Sequence, residues 1–248
     1  MCGTIAAIGV ERVGEANLGT RVVTLVSNSL VPLRIEAVMG LNRQTHQVDV
    51  RGRAILPRYA RFTPFPPDMD ERLALAVFDV CGVVPPARQL AVPGARLAVV
   101  GAAGRAGLLA TVTVAEASGR DGEVLALVQT SQQAAVIRSL GLSTVRPVVV
   151  DATRAAEVVE AVGDRLADAV IDCTNVSGTE VACAALCREG GHVHYFNMAT
   201  SFQAATLGAE MLGRTVSLAI GFGLYPEAPA DALALLRRYP RLKAVLSA

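Results

Sequence analysis

Residues Leu97–Ala110 read LAVVGAAGRAGLLA, and this stretch decides the fold. Four apolar residues, Leu97–Val100, stop at Gly101, and glycines return at Gly104 and Gly107. A strand, a glycine turn and a helix in that order form a dinucleotide-binding unit. Gly101 lets the chain turn tightly out of the strand, and Gly104 lets the backbone approach a pyrophosphate. Gly107 lets the helix lie close on the sheet, while the first helical turn, with Arg105 and Ala106, offers its N–H groups and positive dipole to the phosphates. The spacing G-x-x-G-x-x-G is a variant of the commoner G-x-G-x-x-G. A glycine-rich turn of any α/β protein is the simpler reading, and the order of elements favours the nucleotide site.

Downstream the chain alternates strand and helix. Strands are predicted at Leu97–Val100, Glu123–Val128, Pro147–Val150, Ala169–Asp172, His192–Phe196 and Thr215–Ala219, separated by helices. Ser177-Gly178-Thr179-Glu180 and Thr200-Ser201-Phe202-Gln203 read as capping boxes, and Thr153 as the cap of a helix through Val162. Right-handed crossovers then give a doubly wound parallel sheet in the order 3-2-1-4-5-6. Ligands bind beyond the carboxyl ends of the strands at the switch between the first and fourth. This adds Thr174 and Asn175 to the glycine turn, with Met198, Ala199 and Thr200 from the fifth strand. The tip of the second strand, Gln129-Thr130-Ser131, carries no acid to grip a ribose, so Thr130 and Ser131 are the candidates there. This position does not decide between NAD and NADP.

The residues before Pro66 have a different texture. Gly3–Gly9, Gly19–Ser27 and Gln44–Val50 read as strands, and Asp68 with Glu71 as a capping-box start to a helix through Leu73–Val80. A short helix is expected near Ala87–Ala91. The division predicted is residues 1–65 and 66–248.

Composition fits. The 248 residues are 52% hydrophobic and 4% aromatic, suited to a core of small aliphatic side chains between helices and sheet. A net charge of +1 without a basic cluster argues against nucleic acid as a partner. Charges interrupt the apolar runs, so no membrane span is expected, and Met1–Val10 lacks the basic start of a signal peptide. Five cysteines without a disulfide pattern suit the cytoplasm.

The chain resembles the L-erythro-3,5-diaminohexanoate dehydrogenases, of the medium-chain dehydrogenase/reductase superfamily. VVGAAGRAGLL, Asn175-Val176-Ser177-Gly178-Thr179-Glu180 and Phe196-Asn197-Met198-Ala199-Thr200-Ser201-Phe202 carry the resemblance, extended by Leu207-Gly208-Ala209-Glu210 and Gly221-Phe222-Gly223. It implies a Rossmann domain preceded by a GroES-like barrel, and oxidation of a diamino acid by NAD in lysine degradation, with NADP also admitted. It also implies a homodimer joined through its sixth strands, here Thr215–Ala219. Gly3–Gly9 and Gly19–Val26 match later strands of the barrel, so a chain starting at Met1 is expected to lack the barrel's first half and much of its activity. A non-catalytic nucleotide-binding remnant and a quinone or enoyl reductase are the alternatives.

No catalytic base is assigned. Tyr195, His194 and Asp172 read as sheet residues, His46 as a strand residue facing solvent, and Asp79 as a helix-surface residue. Cys183, Cys187, His192 and His194 read as core rather than as zinc ligands, so no metal is expected.

Overall fold

A computed structural model describes residues 1–25, 31–44, 47–221 and 225–247. The chain divides into two compact units, Met1–Asp79 and Val80–Ala248.

In the first unit, β1 (Cys2–Thr4), β2 (Arg21–Thr24), β3 (Leu33–Asn42), β4 (Gln47–Ala54) and β5 (Phe62–Pro64) precede α1 (Glu71–Phe78). They make an antiparallel sheet in the order β1-β2-β5 and a separate ribbon of β3 and β4. The strand expected over Gly3–Gly9 is only Cys2–Thr4, because the chain leaves it for a turn at Val10–Arg12. The strand expected over Gly19–Ser27 is Arg21–Thr24, and Val26 and Ser27 lie outside the described residues. The cap of α1 is Asp70 rather than Asp68: its Oδ1 accepts the amides of Arg72 at 2.9 Å and Leu73 at 3.3 Å. Glu71, at the first helical position, pairs with Arg21 instead.

The second unit holds α2 (Val84–Leu90), β6 (Arg96–Val100), α3 (Arg105–Ser118), β7 (Glu123–Val128), α4 (Ser131–Ser139), β8 (Val145–Val149), α5 (Ala155–Val162) and β9 (Ala167–Asp172). There follow α6 (Glu180–Leu186), β10 (Cys187–Tyr195), α7 (Phe202–Met211), β11 (Ser217–Ile220), α8 (Ala228–Arg238) and α9 (Pro240–Ser247). The sheet order is β11-β10-β9-β6-β7-β8 with all neighbours parallel, the doubly wound order read from the other edge. β6 is buried along its whole length, as a central strand covered on both faces must be. One core face packs Ala98, Val100, Leu125, Leu127 and Val170 with Val158 of α5 and Leu186 of α6.

β10 begins at Cys187, earlier than the expected His192, because α6 runs directly into it. The register against β9 shifts between Cys187 and His192. Gly191 fits that irregularity, since a Cβ there would lie 2.5 Å from Cys187 Sγ and 2.8 Å from the Asp168 carbonyl oxygen. Among the described residues, no single helix is long and apolar enough to cross a membrane.

Candidate functional site

The glycine turn does three different jobs. Gly101 has φ +73°, and a Cβ on it would meet Thr174 Cγ2 at 2.8 Å, so the tips of β6 and β9 touch at the topological switch. Gly104 is the N-cap of α3, with extended backbone and no side chain capping the helix. The first-turn amides of Arg105, Ala106 and Gly107 therefore remain available to an outside acceptor. A Cβ on Gly104 would meet only the Gly101 carbonyl oxygen, at 3.4 Å, so the space beside this residue is open. Gly107 is buried, and a Cβ there would lie 2.1 Å from that same oxygen. It permits the packing of α3 on the turn. This geometry fits a dinucleotide pyrophosphate.

The tips of β9 and β10 are built on buried polar groups. Asp172 Oδ1 accepts the Thr174 amide at 3.0 Å and its hydroxyl at 2.8 Å, and Oδ2 accepts the Thr179 hydroxyl at 2.7 Å. Burial raises its carboxyl above the usual range despite these bonds. Glu180, 2% exposed, accepts the Gly178 amide at 3.0 Å through one oxygen and the Ser201 amide at 2.7 Å through the other. One carboxylate thus ties the β9–α6 loop to the β10–α7 loop, and the Ser177 hydroxyl adds a bond to the Ala199 carbonyl at 3.3 Å. Asn197 Oδ1 gathers the Ala199 amide, the Thr200 amide and the Thr200 hydroxyl at 2.7–2.9 Å. Its buried Nδ2 has no hydrogen-bond partner among the described residues.

These bonds replace the expected caps. Ser177 caps nothing; Thr179 is the N-cap of α6 and spends its hydroxyl on Asp172. Ser201, not Thr200, caps α7, accepting the Ala204 amide at 3.2 Å. Thr153 donates to Asp151 and leaves Arg154 at the N-cap of α5.

At the tip of β7, Thr130 caps α4 in a capping box with Gln133, whose Oε1 accepts the amides of Gln129 at 2.8 Å and Thr130 at 3.2 Å. Ser131 is exposed beside it. The pattern Thr130-x-x-Gln133 is the signal that would have found this box, and sequence reasoning missed Gln133.

The structure therefore joins Gly101 to Thr174, and Ala199 and Thr200 to the Glu180 and Asn197 bonds. Arg105 and Asn175 are exposed, and Met198 is 85% exposed. Tyr195 is fully buried, its hydroxyl donating to the Glu180 carbonyl at 3.3 Å, and burial raises its phenol well above the ordinary range. His194 is buried, and its Nε2 has no partner among the described residues. Asp79 is the C-cap of α1 in the first unit, and His46 lies outside the described residues. Cys183 is buried, and the described residues contain no group of three or more His, Cys, Asp or Glu placed to hold a metal ion. Two concavities, of about 350 and 400 Å³, lie elsewhere. The first lies at the amino ends of β6 and β9 near Asp168 and Arg188, the second beside Leu142 and Tyr239.

Residues 1–66 match the family model of the L-erythro-3,5-diaminohexanoate dehydrogenase N-terminal domain. The chain is 32% identical over 253 aligned residues to the L-erythro-3,5-diaminohexanoate dehydrogenase of Fusobacterium nucleatum, covering all of this chain and 73% of that protein. It is 35% identical to the enzyme of the same name from Acetoanaerobium sticklandii, covering 90% of this chain and 66% of that one. Among solved structures, a Pseudomonas syringae quinone oxidoreductase superposes with TM-score 0.60 at 16% identity, covering 99% of this chain and 74% of that one. A mycobacterial protein solved with NADPH superposes with TM-score 0.56 at 18% identity, covering 98% and 77%.

Proposed function

The chain belongs to the L-erythro-3,5-diaminohexanoate dehydrogenase family, and from that premise we propose that it oxidises the 3-amino carbon of 3,5-diaminohexanoate with NAD. The enzyme is an oxidoreductase; the substrate, the cofactor and its work in lysine degradation in the cytoplasm are this proposal. The observation that carries it is the open first turn of α3 at Gly104 in a chain aligned over its whole length with a relative of that name.

The balanced reaction takes the ammonium-bearing carbon, NAD⁺ and water to 5-amino-3-oxohexanoate, NADH, ammonium and a proton. When bound, a nicotinamide supplies the hydride acceptor. The amides of Arg105, Ala106 and Gly107 would hold its pyrophosphate. Thr130 and Ser131 would take the adenosine ribose. Thr174, Asn175, Met198, Ala199 and Thr200 would hold the nicotinamide half. Glu180 and Asn197 fix the backbone of these loops. Residues 66–248 form the nucleotide domain in this reading, and residues 1–65 belong to the GroES-like catalytic domain.

The test follows NADH absorbance and ammonia release with 3,5-diaminohexanoate and NAD⁺. Equal yields of the two products are expected. No turnover of the diamino acid, together with NADPH-dependent reduction of a quinone or an enoyl thioester, would overturn the assignment.

A further inference from the structure

Charged side chains gather at the amino end of the parallel sheet, at the opposite end of its strands from the glycine turn. Side chains alternate along a strand, so Arg96 shares a face of β6 with Ala98 and Val100, and Glu123 shares that face of β7 with Leu125 and Leu127. Arg146 stands on the same face of β8 with Val148, and Arg165 follows α5, whose Val158 and Val162 pack there. Arg96 and Glu123 are direct partners in the β6–β7 register. A face that is apolar core further along thus begins with three arginines and one glutamate.

These charges do not balance. Glu123 has Arg96 Nε at 3.3 Å, Arg146 Nε at 3.5 Å and Arg165 Nη1 at 3.6 Å. Such distances bring charges together without making good hydrogen bonds. Arg96 is only 4% exposed, yet its Nε has no hydrogen-bond partner among the described residues. Asp168, across β6 from the cluster, is already spent: one oxygen accepts the Arg96 amide at 2.8 Å, and the other accepts Arg188 Nε at 2.7 Å. Three guanidiniums against one carboxylate leave two positive charges in excess, and one of the three is buried. Burial, with the repulsion of Arg165 and Arg146, holds the Arg96 guanidinium below its ordinary range despite Glu123.

We propose that this end of the sheet binds a phosphate group, free or as the monoester of a small molecule, between Arg96, Arg146 and Arg165 and beside Glu123. A phosphate group carries about −1.5 to −2 charges near neutrality, which matches the excess. Its oxygens supply acceptors for N–H donors that one carboxylate leaves unsatisfied, and guanidiniums grip them in pairs. Arg146 and Arg165 are 46% and 71% exposed and so reachable from solvent, while Arg96 is fixed by its buried strand. The length of β6 and β7 separates this site from Gly101 and Thr130, so its occupant does not compete with a nucleotide there.

Isothermal titration of the whole chain with inorganic phosphate, at an ionic strength held constant with chloride, tests this. The wild type should bind phosphate, and Arg146→Gln/Arg165→Gln should weaken binding by about tenfold or more. Arg188→Gln removes a positive charge from the same end of the sheet and should leave the affinity unchanged. Phenyl phosphate separates the two sources: tighter binding of the ester assigns a phosphorylated small molecule, and tighter binding of the free ion assigns phosphate itself. A wild type that binds neither overturns the proposal. So does binding that the double substitution leaves intact, as an anion at the first turn of α3 would be, or that Arg188→Gln weakens equally. If the double variant does not fold, phenylglyoxal labelling of the wild type decides. Phosphate that shields Arg146 and Arg165 but not Arg188 supports the site, and phosphate that shields none of them, or all alike, rejects it.

Discussion

The carbonyl oxygen of Gly101 occupies the place that the first side-chain carbon of residue 107 would need: a Cβ built on Gly107 lies 2.1 Å from it. Both atoms belong to backbone that α3 and β6 hold in place, so neither has a flexible side chain to yield. Gly107→Ala should therefore lower stability by about 1–3 kcal/mol, the usual cost of overpacking, read as a lower urea midpoint.

Gly104 should behave in the opposite way. Its position is open, so Gly104→Val is expected to leave the urea midpoint close to that of the wild type. It should weaken NAD binding at least tenfold, about 1.4 kcal/mol, because the branched side chain stands where the pyrophosphate approaches. Isothermal titration against both glycine variants separates folding from binding; unchanged affinity in folded Gly104→Val would remove the glycine turn from the site.

Glu180 is expected to matter through both its oxygens. Glu180→Ala leaves the Gly178 and Ser201 amides without their acceptor and should cost about 1.5–3 kcal/mol, the range for hydrogen bonds to a charged group. Glu180→Gln keeps one acceptor oxygen and should recover part of the loss. Equal denaturation midpoints for the two variants would show that the bond retained by Gln contributes nothing.

Two sites give pH dependences of opposite sign. The Asp172 carboxyl is raised above 3.8 by burial, so above that pH the fold keeps a proton that the unfolded chain has released. Its contribution to stability is therefore lost as pH rises through the folded value. His192 and His194 are both lowered from 6.5 by burial, so the unfolded chain takes up protons that the fold refuses, and stability is lost as pH falls below 6.5. Asp172→Asn should remove the first slope and His192→Gln/His194→Gln the second, in urea titrations across the acid range. If the histidine variant keeps the wild-type slope, the acid loss arises elsewhere.

Cofactor choice should respond to the second strand's tip. Thr130→Asp keeps an acceptor for the Gln133 amide, and so keeps the cap of α4, while placing a carboxylate where a 2′-phosphate would sit. The ratio of NADP to NAD dissociation constants should rise at least tenfold, about 1.4 kcal/mol. The wild-type ratio should be modest, and a strong wild-type preference for NADP would point to a basic group elsewhere.

The centre of the parallel sheet was legible because β6, β7 and β9 are buried on both faces and so are written as short apolar runs between turns. Glu123–Val128 matches residue for residue. β3 escaped notice because its two bulges break the alternation by which a strand is recognised, so that Leu33–Asn42 shows no regular period. β5, with three residues, is too short to carry a pattern. Around the site, the glycines announce their roles through spacing. The bonds of Glu180 do not, because its partner at Ser201 lies in another loop and only the tertiary fold brings them together. Capping boxes were misplaced because the Ser177 hydroxyl finds its partner in the β10–α7 loop and the Thr179 hydroxyl its partner at the tip of β9, rather than in their own helix.

The central position of β6 also orders events while the chain is being made. Its neighbour β7 follows after one helix, whereas β9 on the other side arrives only after two more helices and β8. The Arg96 amide waits for Asp168, seventy-two residues later, before it gains its 2.8 Å bond. Until then a strand that is apolar from Leu97 to Val100 presents one bare edge to the surrounding solution. This is the interval in which a nascent chain is most exposed to pairing with a neighbour. A ribosome that pauses between Val149 and Ala167 would prolong that interval, and one that moves quickly there would shorten it.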